Sequence, residues 1–506
     1  MGPIGIFFGG KKWATWATGV VVIGILTVIW LRTGIYPAAS SGDDVWLSEA
    51  GYYLLHEGVL RRPWMADDMG GAIRDFFPPV AAIIQAGSFA IFGVNSFGEM
   101  AQSSLACTLL TLLVIMLARR HGASSLVALA AGIAIFGLQN VLNQAIRPRH
   151  EPWLAAFLLL SLLLRESAKT PSRRGQLLAL LAGLSLGISC LSYFPIAPSA
   201  LLAGLLPLPL KRAEWPRYFL LLLGGAIMLV LFLVFINPDW DLFRRQMFGM
   251  GSFYFSWHML LNPFLNLLNV SDPIFWLMSV EAMGLVIVSA FIAIASSSKG
   301  ARWHALRAII MSLPYFLHGG PANLVAAGVL FVVALAASTN VFPHPSILRN
   351  VCAIVIALAA ILGTIKIGLI ATVAWLQREG RNYASVRAQI DHLVTEPGRV
   401  ASVQQAWLAL RPRLGPDQLH WLASSGSPQS FILRSMILQE QDAGAKFKYV
   451  ILDKGRIQST VHDYPWLGTD IAAGKFREIG QVHLPFRSLP FARNPPYDMI
   501  IYKRQE

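Results

Sequence analysis

Charged residues are scarce in this sequence, and their scarcity excludes a string of ordinary soluble domains. Only 13% of the 506 residues are Asp, Glu, Lys or Arg, whereas 55% are hydrophobic and the mean hydropathy is +0.55. A soluble domain carries about 25% charged residues. So few charges could not cover the roughly three soluble domains that this length suggests. A lipid bilayer is the solvent that permits the composition.

Cysteine is rarer still, and repeats and low-complexity segments are lacking. The three cysteines, Cys107, Cys190 and Cys352, all lie within apolar runs. Their positions give no support for a disulfide framework, a zinc-binding pattern or a thiol nucleophile. We therefore predict buried, inert thiols.

Basic residues are in excess, with a net charge of +14, but they do not form one nucleic-acid-binding face. They lie in short clusters between apolar runs, which is typical of cytoplasmic loops in membrane proteins. The run from 13 to 31 is too long for the apolar core of a signal peptide and predicts an uncleaved first helix with a cytoplasmic N-terminus. The clusters assigned to the cytoplasm are Lys11/Lys12, Arg119/Arg120, Arg165/Lys169/Arg173/Arg174, Lys211/Arg212/Arg217, Lys299/Arg302/Arg307 and Arg349.

The later apolar runs predict the remaining membrane helices. They fall near 99–118, 123–141, 152–165, 176–193, 196–210, 218–236, 273–296, 305–318, 321–339 and 351–375. The run 78–93 is ambiguous by length, and we interpret it as a helix lying flat at the interface, because only then does every basic cluster fall inside. About eleven transmembrane helices result, and the C-terminus is placed outside.

The chain changes character near residue 378, where polar residues and turn signals replace the apolar runs. Residues 447–453 and 497–502 have the apolar pattern of buried strands. About 130 residues suffice for one small α/β domain. We therefore divide the chain into a transmembrane domain, 1–377, and a C-terminal domain, 378–506, on the outer side.

The first outer loop, 33–98, holds the strongest candidates for chemistry. Asp43 and Asp44 come just after the first helix, and an amphipathic stretch follows them. As a plain turn they would only cap that stretch, whereas ionisable groups at the mouth of a membrane helix are often functional. The same loop supplies three candidate substrate-binding cations, Arg61, Arg62 and Arg74.

Two further outer loops carry charges where topology does not require them. Arg147, Arg149 and Glu151 lie in the loop 142–152, and the guanidinium fork of Arg suits phosphate oxygens. They are either tolerated loop charges or ligands of a lipid phosphate. The loop 237–272 adds the weaker substrate-binding candidates Arg244, Arg245 and His258.

At these residues the chain resembles the GT-C superfamily, in the branch of protein O-mannosyltransferases, lipid A aminoarabinose transferases and core galacturonosyl transferases. The likeness covers residues 30–210. It comprises Asp43-Asp44 and a helix ending at Gly58, Pro78-Pro79 and a helix ending at Phe92-Gly93, a helix ending at Arg119-Arg120, and the acidic-Pro step Glu151-Pro152.

The resemblance implies an α-helical polytopic membrane protein of GT-C type with a small C-terminal α/β domain. It implies an inverting transfer of a sugar from a polyprenyl-phosphate donor to a hydroxyl on a glycan, lipid or protein acceptor. Asp43 matches the catalytic base, Asp44 its neighbour, and Glu151 a second acid that orients the acceptor or a cation. The resemblance implies no particular cofactor, and it leaves both a metal-free site and a site with a divalent cation open. Its membrane would be a bacterial inner membrane.

A transporter or flippase of a lipid-linked or glycan substrate is the main alternative. Transporters usually show internal repeats and ionisable groups near the bilayer midplane. Here the charges gather at the outer mouth, with Lys366 as an exception within a helix. The sequence therefore favours the enzyme.

Overall fold

Residues 17–24, 27, 42–65, 74, 76, 79–145, 147–168, 172–246, 273–318, 324–339, 347–422, 443–489 and 496–505 are described by a computed structural model. In these described residues, the regular elements before 377 are helical. A helical stretch over 17–24 is followed by α1 (Gly42–Glu57), α2 (Pro79–Phe92), α3 (Ser96–Arg120), α4 (Ser125–Ala134), α5 (Gln139–Ala145), α6 (Glu151–Ser167), α7 (Arg173–Ser192), α8 (Ala197–Leu205), α9 (Trp215–Ile236), α10 (Pro273–Ala295), α11 (Lys299–His318), α12 (Val325–Ser338) and α13 (Ile347–Leu376).

Four stretches of the described chain are long and apolar enough to cross a membrane by length and composition: Ser96–Arg120, Arg173–Ser192, Arg212–Gln246 and Ile347–Leu376. The third contains α9, which together with α13 exposes many large aliphatic side chains, as expected of a lipid-facing surface. Shorter apolar helices, such as α2 and α12, accompany them. The structure is therefore that of a largely helical protein with several apolar helices, and the number of crossings stays a prediction.

Helix α12 lies at the centre of the helical bundle. Each of its 14 residues is buried, and most of them belong to the largest apolar core together with residues of α3, α4, α6 and α11. Its residues are mainly Ala, Val and Gly, whose small side chains allow neighbouring helices to approach closely. The bundle is therefore organised around a small-residue helix.

The predicted helix 123–141 is broken in the structure. A 3-10 turn, Ile135–Gly137, separates α4 from α5. Gly137 packs so closely on α13 that a Cβ atom would lie 2.4 Å from the carbonyl oxygen of Ala359. Lys366 Nζ donates to the Gly137 carbonyl at 2.7 Å, and Glu281 accepts the backbone N–H of Gln139 at 2.8 Å. The partly buried side chains of Lys366 and Glu281 therefore satisfy backbone groups at the break.

The C-terminal domain is a five-stranded sheet with short helices, and it confirms the small sheet expected there. After α14 (Tyr383–Leu393) its elements are β1 (Val400–Ser402), α15 (Trp407–Leu410), β2 (Leu419–Trp421), β3 (Tyr449–Asp453), α16 (Ile457–Asp463), α17 (Pro465–Ala472), β4 (Phe476–His483) and β5 (Asp498–Arg504). The strand order is β2-β1-β3-β5-β4, with β1 parallel to β2 and β3 and with β5 antiparallel to β3 and β4.

The core of this domain includes residues from the first outer loop. One buried apolar cluster contains Trp407 and Trp421 of this domain together with Val45 of α1, Phe89 of α2 and Trp64, which lies between these two helices. The rings of Trp64 and Trp421 lie with their centroids 5.3 Å apart. The C-terminal domain therefore packs directly on the loop that carries Asp43 and Asp44.

Candidate active site

Asp43 and Asp44 lie in the first turn of α1, and their side chains fall outside the described part of the chain. The helix ends at Glu57, where Gly58 has φ +70° and donates its N–H to the Leu54 carbonyl at 3.2 Å. Helix α2 ends in the same way, at Gly93 with φ +81°. This left-handed backbone favours glycine, so both glycines of the sequence motif fix the ends of their helices.

Glu49, on the inner face of α1, is held by residues from two parts of the chain. The carboxylate is fully buried, and both oxygens lie 3.1 Å from the backbone N–H of Trp64, which donates to them. Nη2 of Arg411, from the C-terminal domain, lies 2.9 Å from Oε1. Burial raises the pKa of Glu49 to about 7, against the lowering effects of Arg411 and of the Trp64 N–H. The position of α1 therefore depends on Arg411.

Arg411 also reaches the neighbouring turn of α1. Its Nη1 donates to the Tyr53 hydroxyl at 2.8 Å and to the Gly415 carbonyl at 3.0 Å. Its side chain is fully buried, like that of Glu49. A buried ion pair with these additional hydrogen bonds is a specific joint between α1 and the C-terminal domain.

Sequence reasoning missed Glu49 and a second buried acid, Glu99 in the first turn of α3. The Ser48 hydroxyl donates to Glu99 Oε1 at 2.8 Å, so α1 contacts α3 through a polar pair. Glu49 stands four residues from both Val45 and Tyr53, and this spacing places it on the buried face of the helix. That spacing was the signal in the sequence that could have found Glu49.

Glu151, the third predicted catalytic acid, opens α6 and is buried. Arg149 forms a two-point contact with it, Nε to Oε2 at 3.2 Å and Nη2 to Oε1 at 2.8 Å. His150 Nε2 lies 3.4 Å from Oε1. Because a fork-to-carboxylate contact fixes both groups, Arg149 first of all positions Glu151.

Arg147 is exposed, in contrast to Arg149. Its backbone carbonyl accepts a hydrogen bond from the Ser103 hydroxyl, which ties the loop to α3. The Trp153 indole donates to Gln102 at 3.1 Å, and Gln102 donates to Gln85 of α2. This chain of buried side chains connects α6, α3 and α2, so the structure brings the Arg147–Glu151 loop to the elements of the first outer loop.

The remaining predicted arginines of the first loop have partners within the protein. Arg61 pairs with Glu57 and lies over the Tyr53 ring at 4.6 Å. Arg62 is buried over Trp46, and its Nε donates to the Trp46 carbonyl at 2.6 Å.

Arg74 pairs with Asp239 and donates to the Phe235 carbonyl at 2.7 Å, which joins the first outer loop to the end of α9. Arg244 and Arg245 are exposed in the helical stretch that ends at Gln246. His258 lies outside the described residues. Among the predicted arginines described here, Arg147, Arg244 and Arg245 are the exposed ones.

Comparison with known proteins agrees with this arrangement. Residues 77–237 match the family model described as dolichyl-phosphate-mannose-protein mannosyltransferase. No curated protein matches the chain in sequence. Among solved structures, ArnT from Cupriavidus metallidurans in the apo state is similar with a TM-score of 0.57 at 13% identity, covering 97% of this chain and 98% of that chain. The same protein bound to undecaprenyl phosphate gives a TM-score of 0.55 at 13% identity, covering 96% and 98%.

The chain thus has the fold of ArnT over nearly its whole length, from the helical bundle to the C-terminal sheet. The predicted resemblance to the GT-C glycosyltransferases is confirmed by the family model over residues 77–237 and by the fold likeness to ArnT.

Proposed function

We propose that the protein is an inverting glycosyltransferase that moves a sugar from a polyprenyl-phosphate donor to an acceptor hydroxyl on the outer face of a bacterial inner membrane. The observation that carries the proposal is the fold likeness over nearly the whole chain to ArnT, which has been solved with undecaprenyl phosphate bound. The acceptor is a glycan, lipid or protein.

The number of acids fits this reaction better than hydrolysis of a sugar bond. A glycosidase needs a general acid beside a second carboxylate, because its leaving alcohol must be protonated. A polyprenyl phosphate leaves as a stable anion, so one base that deprotonates the acceptor hydroxyl is sufficient. In our proposal Asp43 is that base, Asp44 supports it, and Glu151 orients the acceptor.

The direct test is an assay with a labelled polyprenyl-phosphate sugar and purified protein. The enzyme releases free polyprenyl phosphate and labels an acceptor, whereas a transporter or flippase moves the intact donor between leaflets. The transporter hypothesis would be favoured if the donor stays intact in a screen across donor sugars and acceptors. The intact donor should then also cross the membrane of proteoliposomes that contain the protein.

Arg147 and Arg149 are expected to differ in their effects on kinetics. A charge-assisted hydrogen bond to phosphate contributes roughly 1.5–3 kcal/mol, so Arg147→Ala should lower kcat/KM by about tenfold or more. Arg147→Lys should retain only part of the wild-type kcat/KM, because Lys keeps the charge but lacks the two-pronged guanidinium group. Arg149→Ala should mainly lower kcat, because it leaves the Glu151 carboxylate buried without its partner.

The matched control is Arg174→Ala, an exposed arginine in the first turn of α7 that lies in a predicted cytoplasmic cluster. Steady-state rates over a range of donor concentrations give kcat and KM for each variant. If the Arg147 variants match the control, the phosphate site lies elsewhere, with Arg244 and Arg245 as the next candidates.

We further propose that residues 378–506 form a domain on the outer side of the membrane. A cysteine at the exposed position Thr469, in a chain whose three native cysteines are replaced, should react with an impermeant thiol reagent in intact spheroplasts. A cysteine at Arg174 should react only after permeabilisation. The opposite pattern would invert the topology and place the reaction in the cytoplasm.

A further inference from the structure

Two histidines and a glutamate from three helices meet at the end of the bundle away from Glu151. His121 follows the last turn of α3, Glu166 lies in the last turn of α6, and His304 lies in the second turn of α11. Glu151 and Glu166 stand at the two ends of α6, and fifteen residues of helix separate them by about 22 Å. This cluster, His121–Glu166–His304, is therefore distinct from the candidate active site.

The side-chain atoms of the cluster converge on one point. His121 Nε2 and His304 Nε2 are 2.8 Å apart. Glu166 Oε2 lies 3.2 Å from His121 Nε2, and Glu166 Oε1 lies 3.6 Å from His304 Nε2. His304 is fully buried, whereas the side chains of His121 and Glu166 keep 14% and 16% of their surface exposed. The cluster therefore reaches the protein surface at His121 and Glu166.

The surroundings of the cluster fix one of its protons. Arg307 Nη1 lies 3.3 Å from His304 Nδ1 and can only donate, so the ring proton of neutral His304 is on Nε2, facing His121 Nε2. Glu166 Oε2 is buried, and His121 Nε2 lies 3.2 Å from it. Two imidazole nitrogens and one carboxylate therefore face one another.

The packing holds the rings in this arrangement. A Cβ atom on Gly300, in the first turn of α11, would lie 2.3 Å from His121 Nδ1. Only glycine lets the backbone approach the ring so closely. The two imidazole rings are edge to face, with centroids 4.7 Å apart. The positions of His121 and His304 are therefore set by α3 and α11 and do not depend on a bound ion.

We propose that the His121–Glu166–His304 cluster binds a divalent transition-metal ion, with Zn²⁺ as the best match. Zinc takes nitrogen and oxygen ligands at about 2.0–2.2 Å in a tetrahedron, which puts neighbouring ligand atoms roughly 3.3 Å apart. The three separations here, 2.8, 3.2 and 3.6 Å, lie on both sides of that value. Two neutral imidazoles and one carboxylate form a ligand set typical of zinc, with water at the fourth position.

Binding requires one shift of a proton within His304. The ring proton moves from Nε2 to Nδ1, so that Nε2 offers its lone pair to the metal. Arg307 then loses its contact with Nδ1 but keeps its bonds to the carbonyls of Ala203, at 3.1 Å, and Leu206, at 2.7 Å. The metal would join the ends of α3, α6 and α11, remote from the proposed sugar transfer.

The test measures metal content and thermal stability in the full-length protein. Detergent-purified chain is stripped with a chelator, equilibrated with Zn²⁺, desalted and analysed by elemental mass spectrometry. The wild type should retain about one zinc per chain, and its thermal midpoint should rise on Zn²⁺ addition. His121→Ala and Glu166→Gln should lose both responses. His462→Ala, at an exposed histidine of α16, should keep them.

His121 and Glu166 are chosen because both are partly exposed, so their variants are expected to fold, whereas substitution of the fully buried His304 could unfold the bundle. A wild-type protein that retains less than about a tenth of an equivalent of zinc would show a hydrogen-bonded triad without metal. Zinc retained equally by His121→Ala and Glu166→Gln would place the metal elsewhere. Either result overturns the metal-site proposal. The proposed sugar transfer would be unaffected, because its residues lie at the other end of the bundle and it is tested by a separate assay.

Discussion

Replacing Asp43 with Asn is expected to lower the turnover of sugar transfer by about 10²–10⁴-fold, which is what a positioned general base contributes. Asn has the same shape but cannot accept the proton of the acceptor hydroxyl. Asp43 lies in the first turn of α1, whereas the contacts that hold this helix come from Glu49, Ser48 and Tyr53 further along it. The thermal midpoint and the affinity for donor should therefore remain close to those of the wild type.

The measurement is single-turnover release of polyprenyl phosphate, combined with donor binding and thermal unfolding of the same preparation. Glu57→Gln is the matched control, since Glu57 is an exposed acid at the other end of α1, paired with Arg61. A variant at Asp43 that keeps more than about a tenth of the wild-type rate is incompatible with a catalytic base there.

Arg411→Ala is expected to have the largest effect on stability. The substitution leaves the fully buried Glu49 carboxylate without its cationic partner, and breaking a buried pair from one side costs on the order of 3–5 kcal/mol. The Tyr53 hydroxyl loses a donor in the same step. We expect a lower thermal midpoint and a lower turnover, because α1 would no longer be fixed against the C-terminal domain.

Arg413→Ala is the control for Arg411→Ala, because Arg413 stands two residues away, is partly exposed and pairs with Asp391 at 3.1 Å. The double variant Arg411→Ala/Glu49→Gln removes the uncompensated charge and should regain part of the lost stability. Equal thermal midpoints for Arg411→Ala and Arg413→Ala would contradict the stabilising role of Arg411 between α1 and the C-terminal domain. So would a double variant that is no more stable than Arg411→Ala alone.

Several of the apolar helices could be predicted, because a bilayer requires continuous apolar runs whose backbone groups are satisfied within the segment. Their ends could not. Helix α11 begins at Lys299 instead of near 305, and the Ser298 hydroxyl accepts the N–H of Ala301 at 3.1 Å in its first turn. A boundary drawn from hydropathy alone leaves such polar first turns out of the helix. The strands β1 and β2 have three residues each, too few for a periodic pattern.

The candidate site was predictable where its residues are neighbours in sequence. Arg149 and Glu151 are two residues apart, and the structure joins them. The pairing of Glu49 with Arg411 spans the transmembrane and C-terminal domains, and no local pattern indicates it. Whether Asp43, Asp44 and Glu151 share one reaction centre stays a prediction that the Asp43 experiment begins to test.

The joint between α1 and the C-terminal domain has a consequence for exchanging domains between relatives. A chimera that takes its C-terminal domain from a relative, with the junction at 377/378, would exchange Trp407 and Arg411 but retain Val45, Glu49 and Trp64. The grafted domain would then pack against residues of α1 that fit a different domain, and the buried Glu49 would lose Arg411. A chimera that folds and remains active should therefore exchange residues 42–65 and 378–506 together, because these two segments are distant in sequence but pack on each other.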